Sequence, residues 1–195
     1  MVSHRIGIFS GTFDPVHIGH ITFAKEAIKV CQLDKVVFMP ERSPRDKTNV
    51  TDISHRLELL RLATNDDSNL DVIESQSEQF TVKKTLPELH RVFDDSEFTL
   101  LIGSDVVRTF THRWEDLDSL LSEVSLAIGM RAGDSEYEII TIIKKVESDH
   151  NITVNYSLIH TPDLQISSSQ VRGNGANLSI LKPDVVDYVQ KHGLY

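Results

Sequence analysis

The chain has 195 residues, 39% of them hydrophobic and 25% charged, with a formal net charge of −9. That size and composition fit one globular domain, residues 1–195, large enough to bury a core without disulfides or metal staples. Its single cysteine, Cys31, excludes an intrachain disulfide. The acidic balance lacks the basic stripe of a nucleic-acid binder, and no signal peptide or transmembrane run is visible, so the expected compartment is the cytoplasm.

In chain order, residues 5–9 read as a buried strand. The run Gly11-Thr12-Phe13-Asp14-Pro15-Val16-His17-Ile18-Gly19-His20 follows it. A helix over 19–30 carries Ile21, Ala24, Ile28 and Cys31 at helical spacing. Residues 36–39 form a second strand, stopped by Pro40, and 41–52 is a polar loop long enough to be functional. A helix spans 54–64, a strand 70–73, and a helix 82–93 in which Pro87 sits in the first turn or causes a kink. The continuous apolar run 98–102 predicts a central strand of a parallel sheet, and Gly103-Ser104-Asp105 follows it directly. Further helices are expected at 117–121 and 137–146, and strands at 124–129 and 154–159. A short helix begins at Ser167, and a last helix over 183–191 is ended by Gly193. Alternation throughout predicts an α/β fold: a doubly wound, Rossmann-like parallel sheet with helices on both faces.

In such a sheet, ligands bind beyond the carboxyl ends of the strands. Three distinctive segments fall there: 11–20, 103–105 and 167–172. A glycine turn leading into a helix N-terminus presents free N–H groups to an anion. His17 and His20, within one helical turn, can face the same phosphate. The plain alternative is a Gly–Asp–Pro turn with two surface histidines. Zinc is disfavoured because no cysteine or carboxylate cluster accompanies the pair. Ser167, Ser168 and Ser169 offer hydroxyls and N–H groups, and Arg172 adds a permanent charge with fork geometry. Asp105 can accept from ribose hydroxyls or belong to a helix cap. Trp114 can stack on a flat ring or belong to the core.

These residues carry a family resemblance. GTFDPVHIGH resembles the T/HxGH signature of the nucleotidyltransferase superfamily, and the run 166–172, ISSSQVR, resembles its second motif. Gly103, Asp105, Trp114 and the ending YVQKHGLY are similar to the bacterial nicotinate mononucleotide adenylyltransferases. The resemblance implies adenylyl transfer from ATP to a pyridine mononucleotide, with magnesium bridging the triphosphate oxygens. It implies catalytic roles for His17, His20 and Arg172. It implies ATP contacts from Gly11, Thr12, Phe13, His17, Gly19, His20, Gly103, Asp105, Ser167, Ser168 and Arg172. Acceptor contacts are implied for Lys47, Phe80, Thr81 and Trp114.

Departures from the family cluster on the acceptor side. Where the family has Pro-Pro-His-Lys, this chain has Ser43-Pro44-Arg45-Asp46-Lys47, so the histidine is missing. The family's Ser-Tyr-Thr is here Gln79-Phe80-Thr81. Trp114 stands about a residue further from Asp105 than the family pattern has it, and the segment between Arg172 and Pro183 is short. The resemblance thus supports the ATP side better than the acceptor side, where nicotinate mononucleotide remains the leading acceptor. The alternatives are nicotinamide mononucleotide, a phosphopantetheine-type acceptor, and a non-catalytic ATP-binding sensor. Oligomeric state has no signature in the sequence.

Overall fold

The apolar runs become the strands β1 (His4–Gly11), β2 (Lys35–Pro40), β3 (Leu70–Val72), β4 (Ser96–Gly103), β5 (Val124–Met130) and β6 (Tyr156–His160). They pair in the order β3-β2-β1-β4-β5-β6, and every pairing is parallel. The structure is a computed structural model describing residues 4–45, 47–112, 114–161, 165–172 and 177–195. Parallel neighbours require crossovers, and helices supply them: α1 (Ile18–Cys31), α2 (Ile53–Thr64), α3 (Val82–Val92), α4 (Ser104–Arg108), α5 (Leu117–Glu123) and α6 (Glu136–His150), while α7 (Pro183–His192) follows the last strand.

Alternating side chains along the strands build two cores, one on each face of the sheet. Ile6, Ile8, Val37, Met39, Leu126, Ile128 and Met130 pack with α3, α5 and α6. Val36, Phe38, Leu101 and Ala127 pack with α1, α2 and α7. The expected doubly wound α/β architecture, with helices on both faces, is the one observed.

Three local expectations change. Pro40 does not stop β2: it pairs opposite Gly11, and the next residue, Glu41, donates its N–H to the Gly11 carbonyl at 2.9 Å. The missing N–H of Pro40 is on the β3 side, as the bonds of Val36 and Phe38 are, so the bond to β1 is made by Glu41 in the ordinary alternation of a parallel ladder. Pro87 lies inside α3 rather than in its first turn, on the exposed side, where the Lys83 carbonyl it leaves without a helical donor is open to water. The short α4 and the 3-10 turn at Thr109–Thr111 are elements that periodicity missed, because five residues hold little more than one helical period.

The loop after β2 is held by a buried cation. Arg56 on α2 is 1% exposed. Its Nε donates to the Thr51 carbonyl at 2.8 Å. Nη1 donates to the carbonyls of Thr12 and Glu41, each at 2.8 Å, and Nη2 to that of Arg42 at 3.2 Å. The guanidinium thus ties both ends of the 41–51 loop to the turn after β1. Arg56→Met keeps the apolar stem but strands these buried carbonyls. It should lower unfolding free energy by about 3 kcal/mol or more in chemical denaturation, and a loss below about 1 kcal/mol would show that the loop is held by other contacts.

Candidate active site

The strand order reverses at β1 and β4, where crossovers leave in opposite directions and the carboxyl ends open a crevice. A cleft of about 350 Å³ lies there. It is lined by Gly11, Thr12, Phe13, His17, Gly19, His20, Lys47, Gly103, Asp105, Arg131, Ser167, Ser168 and Arg172 among others. Every residue assigned to ATP from the sequence therefore meets in one place, together with Lys47. Phe80, Thr81 and Trp114 are not among the lining residues.

The histidines stand on an aromatic floor. Phe13 packs edge-on against Phe9 at 5.2 Å between centroids and against Phe38 at 5.5 Å, and His20 rests on Phe13 at 5.0 Å. Phe13 is 2% exposed and adopts a left-handed backbone (φ 49°), a strained conformation that this packing maintains. His17 and His20 stack at 3.7 Å with 27° between their planes. His17 is the N-cap of α1, and its backbone N–H donates to His20 Nδ1 at 3.2 Å. That bond assigns the His20 proton to Nε2. The His17 ring turns toward the His20 backbone N–H without forming a full bond, leaving Nδ1 buried and unpartnered among the described residues.

Both rings are held neutral. Burial, helped by the charge of Arg131, lowers the His17 pKa to about 4. His20 is pushed well below its usual value by burial first, then by His17, Lys47 and Arg131. Each imidazole therefore carries a single N–H at neutral pH, a hydrogen-bond donor without formal charge.

The second motif reaches back to clamp the first. Ser168 Oγ donates to the Pro15 carbonyl at 2.8 Å, and Arg172 Nη1 donates to the Asp14 carbonyl. The expected short helix at 167 is a single 3-10 turn, Ser168–Gln170, closed by the Ser167 N–H donating to Gln170 Oε1 at 2.8 Å. Asp14 itself is buried, and its carboxylate accepts from the Tyr195 hydroxyl at 2.7 Å and the Thr51 N–H at 3.4 Å. On the far wall, Gly103 is the N-cap of α4, so neither Ser104 nor Asp105 fills that position. A Cβ on Gly103 would lie 2.2 Å from Asp105 Oδ1, so the carboxylate folds back over the glycine, where a side chain would displace it.

Lys47 Nζ donates to Thr12 Oγ1 at 2.8 Å, which ties the loop lysine to the first motif. Asp46 lies outside the described residues, as does part of the short segment after Arg172. Gln79 bonds to Arg45 Nε (2.8 Å) and the Ser43 carbonyl (2.7 Å), and the Phe80 N–H donates to Glu41 Oε1 at 3.0 Å. The changed loop residues thus bind one another. Phe80 packs on the core, and Thr81 is the N-cap residue of α3. Trp114 packs edge-on against Phe110 at 5.1 Å and donates Nε1–H to Thr109 Oγ1 at 3.0 Å, beside a separate cavity. Arg131, which sequence reasoning passed over, stands directly after β5 as Gly103 ends β4. That position is its legible signal.

No group of three or more His, Cys, Asp or Glu side chains among the described residues could hold a metal ion, and no helix among them is long and apolar enough to cross a membrane. The profile of the family described as cytidylyltransferase-like matches residues 8–174. A probable nicotinate-nucleotide adenylyltransferase of Clostridium perfringens is 32% identical over 98% of both chains. One from Desulfotalea psychrophila is 34% identical over 98% of this chain and 99% of its own. Among solved structures, the Plasmodium falciparum nicotinic acid mononucleotide adenylyltransferase complexed with NaAD superposes with a TM-score of 0.78. It shares 20% identity over 98% of this chain and 97% of that one.

The neutral His17 has a consequence for stability. Its pKa falls from 6.5 in the unfolded chain to about 4 in the folded one, so unfolding takes up a proton between those values. Its contribution is complete above about pH 6.5, declines as pH falls toward 4, and is of order 3 kcal/mol in all. Denaturation of the ligand-free protein from pH 7.5 to 4 should show this loss together with that of His20, and His17→Asn should make the slope shallower without abolishing it. An identical slope in the variant would assign the loss to other groups.

Proposed function

The chain belongs to the nicotinate-nucleotide adenylyltransferases within the cytidylyltransferase-like family, and from that premise we propose that, as one domain, it moves the adenylyl group of ATP to nicotinate mononucleotide, giving deamido-NAD and pyrophosphate. The observation that carries the reading is the meeting of both motifs over one cleft, with two neutral imidazoles among the cations Lys47, Arg131 and Arg172. The whole chain is acidic, so attraction for a triphosphate has to come from this local set.

The reaction is an in-line displacement. An oxygen of the acceptor's 5′-phosphate forms a bond to the α-phosphorus of ATP. The bond from that phosphorus to the α–β bridging oxygen breaks, and pyrophosphate leaves with its electron pair. Catalysis of this kind rests on positioning and charge stabilisation, and no protein nucleophile is needed. In this reading His20 Nε2–H and the His17 ring donate to α- and β-phosphate oxygens. Lys47, Arg131 and the free donors of Arg172 neutralise the phosphates. Gly11, Thr12, Phe13 and Gly19 shape the turn around them, and Ser167 and Ser168 close it from the second motif. Asp105 is offered the ribose hydroxyls, beside Gly103. With one carboxylate and several cations, the cleft fits magnesium brought in on the triphosphate oxygens rather than held by protein ligands. The proposed compartment is the cytoplasm.

On the acceptor side, Lys47 is the contact already in the cleft, while Phe80, Thr81 and Trp114 do not line it, and Trp114 lines a separate cavity. Initial rates of pyrophosphate release should be highest with nicotinate mononucleotide, lower with nicotinamide mononucleotide and negligible with phosphopantetheine. Equal rates with the two pyridine nucleotides would reassign the acceptor preference, and ATP binding without turnover on any would leave a sensor. His20→Ala should lower the rate at least 100-fold, about 2.7 kcal/mol, with an unchanged circular dichroism spectrum. Turnover near that of the unaltered protein would remove His20 from the mechanism.

A further inference from the structure

Arg131 is an arginine at the mouth of a strand, and a side chain that long is not placed by its own backbone. Among the described residues nothing accepts a hydrogen bond from its guanidinium, yet its charge bears on both His17 and His20. Something else has to fix its starting point.

The turn between β5 and α6 is closed on itself. The Arg131 N–H donates to Asp134 Oδ2 at 2.6 Å, and the Asp134 N–H donates to the Arg131 carbonyl at 3.0 Å. Gly133 between them takes φ 87°, a left-handed value that glycine accepts without strain. The same carboxylate reaches across to α4. Ser104 Oγ donates to Oδ2 at 2.5 Å, and Arg108 Nη2 to Oδ1 at 2.8 Å. The Asp134 side chain is only 12% exposed. Arg108 also bonds Glu138 on α6 at 3.1 Å through both Nε and Nη2. Its charge is therefore balanced by two carboxylates, while that of Arg131 is left facing the cleft.

We infer that Asp134 is a positioning residue, joining the turn after β5 to α4 so that Arg131 and Asp105 meet the same nucleotide from fixed places. α4 begins immediately after Gly103, so a shift of this junction moves two walls of the cleft at once. The inference deepens the adenylyl transfer proposed above and rests on it for the reaction, but not for nucleotide binding.

A double-mutant cycle tests it on the full chain, with Arg131→Ala, Asp134→Asn and the pair, reading both kcat/KM and the Kd for ATP. Arg131→Ala should cost about 30-fold or more in kcat/KM and Asp134→Asn about 10-fold, with both also weakening ATP. The pair should cost clearly less than the product of the two single costs, because part of the Asp134 effect runs through Arg131, while the part that runs through Asp105 on α4 persists in the Arg131→Ala background. Costs that multiply, or a change below about twofold for Asp134→Asn, overturn the inference. A purely structural role would lower Tm by the same amount in both backgrounds and leave the costs multiplicative. Should Asp134→Asn fail to fold, Ser104→Ala removes one donor to the same oxygen and is expected to show the same coupling at smaller size. If the unaltered protein turns over none of the acceptors, adenylyl transfer fails, while the cycle on ATP affinity still decides this inference.

Discussion

The guanidinium of Arg56 joins the two loops on which the cleft depends. It binds the Thr12 carbonyl inside the first motif and the Glu41, Arg42 and Thr51 carbonyls at the ends of the loop carrying Lys47. A buried charge is tolerable only when its donors are occupied, so the cation dictates the conformation of the segments around it. Lys47 can then reach Thr12, and Thr51 can reach Asp14. The histidine turn is thus built as much by α2 as by the strand and helix on which it lies.

A second constraint is the exclusion of water beneath the histidines. Phe9, Phe13, Phe23 and Phe38 form a continuous aromatic support. Burial on that support, reinforced by nearby cations, keeps His17 and His20 uncharged. A neutral imidazole is a directional donor, whereas the arginines and the lysine supply the charge. The site therefore divides its labour between direction and charge.

Much of this was legible in the sequence. Most strands announced themselves by an apolar stretch, β3 and β6 least clearly, and both motifs fell at or beyond strand carboxyl ends, so the parallel sheet and the location of the cleft followed. Other features were not legible, for identifiable reasons. The α4 helix is too short to show a period. Ser168 and Arg172 read as free phosphate ligands, but each also spends a donor on a main-chain carbonyl of the first motif. Such a bond leaves no trace in residue type. Nothing in the residue pattern of α2 marks Arg56 for burial, and only the folded loops reveal why it is buried. Trp114 illustrates the reverse case. Its type suits stacking on a ring, but its position is decided by Phe110 and Thr109.

The clamp between the two motifs has a consequence for the order in which the molecule is made. Ser168 meets Pro15 across 153 positions of chain, Arg172 meets Asp14 across 158, and Tyr195 meets Asp14 across 181. The strand that leads into the histidines leaves the ribosome early, but β4, its partner on one side, follows much later, and the clamp later still. The histidine turn is thus synthesised well before the segments that complete it. A chain interrupted before residue 168 has the aromatic floor and Arg56 but lacks the clamp from the second motif, so the turn is closed from its second side only in a late step.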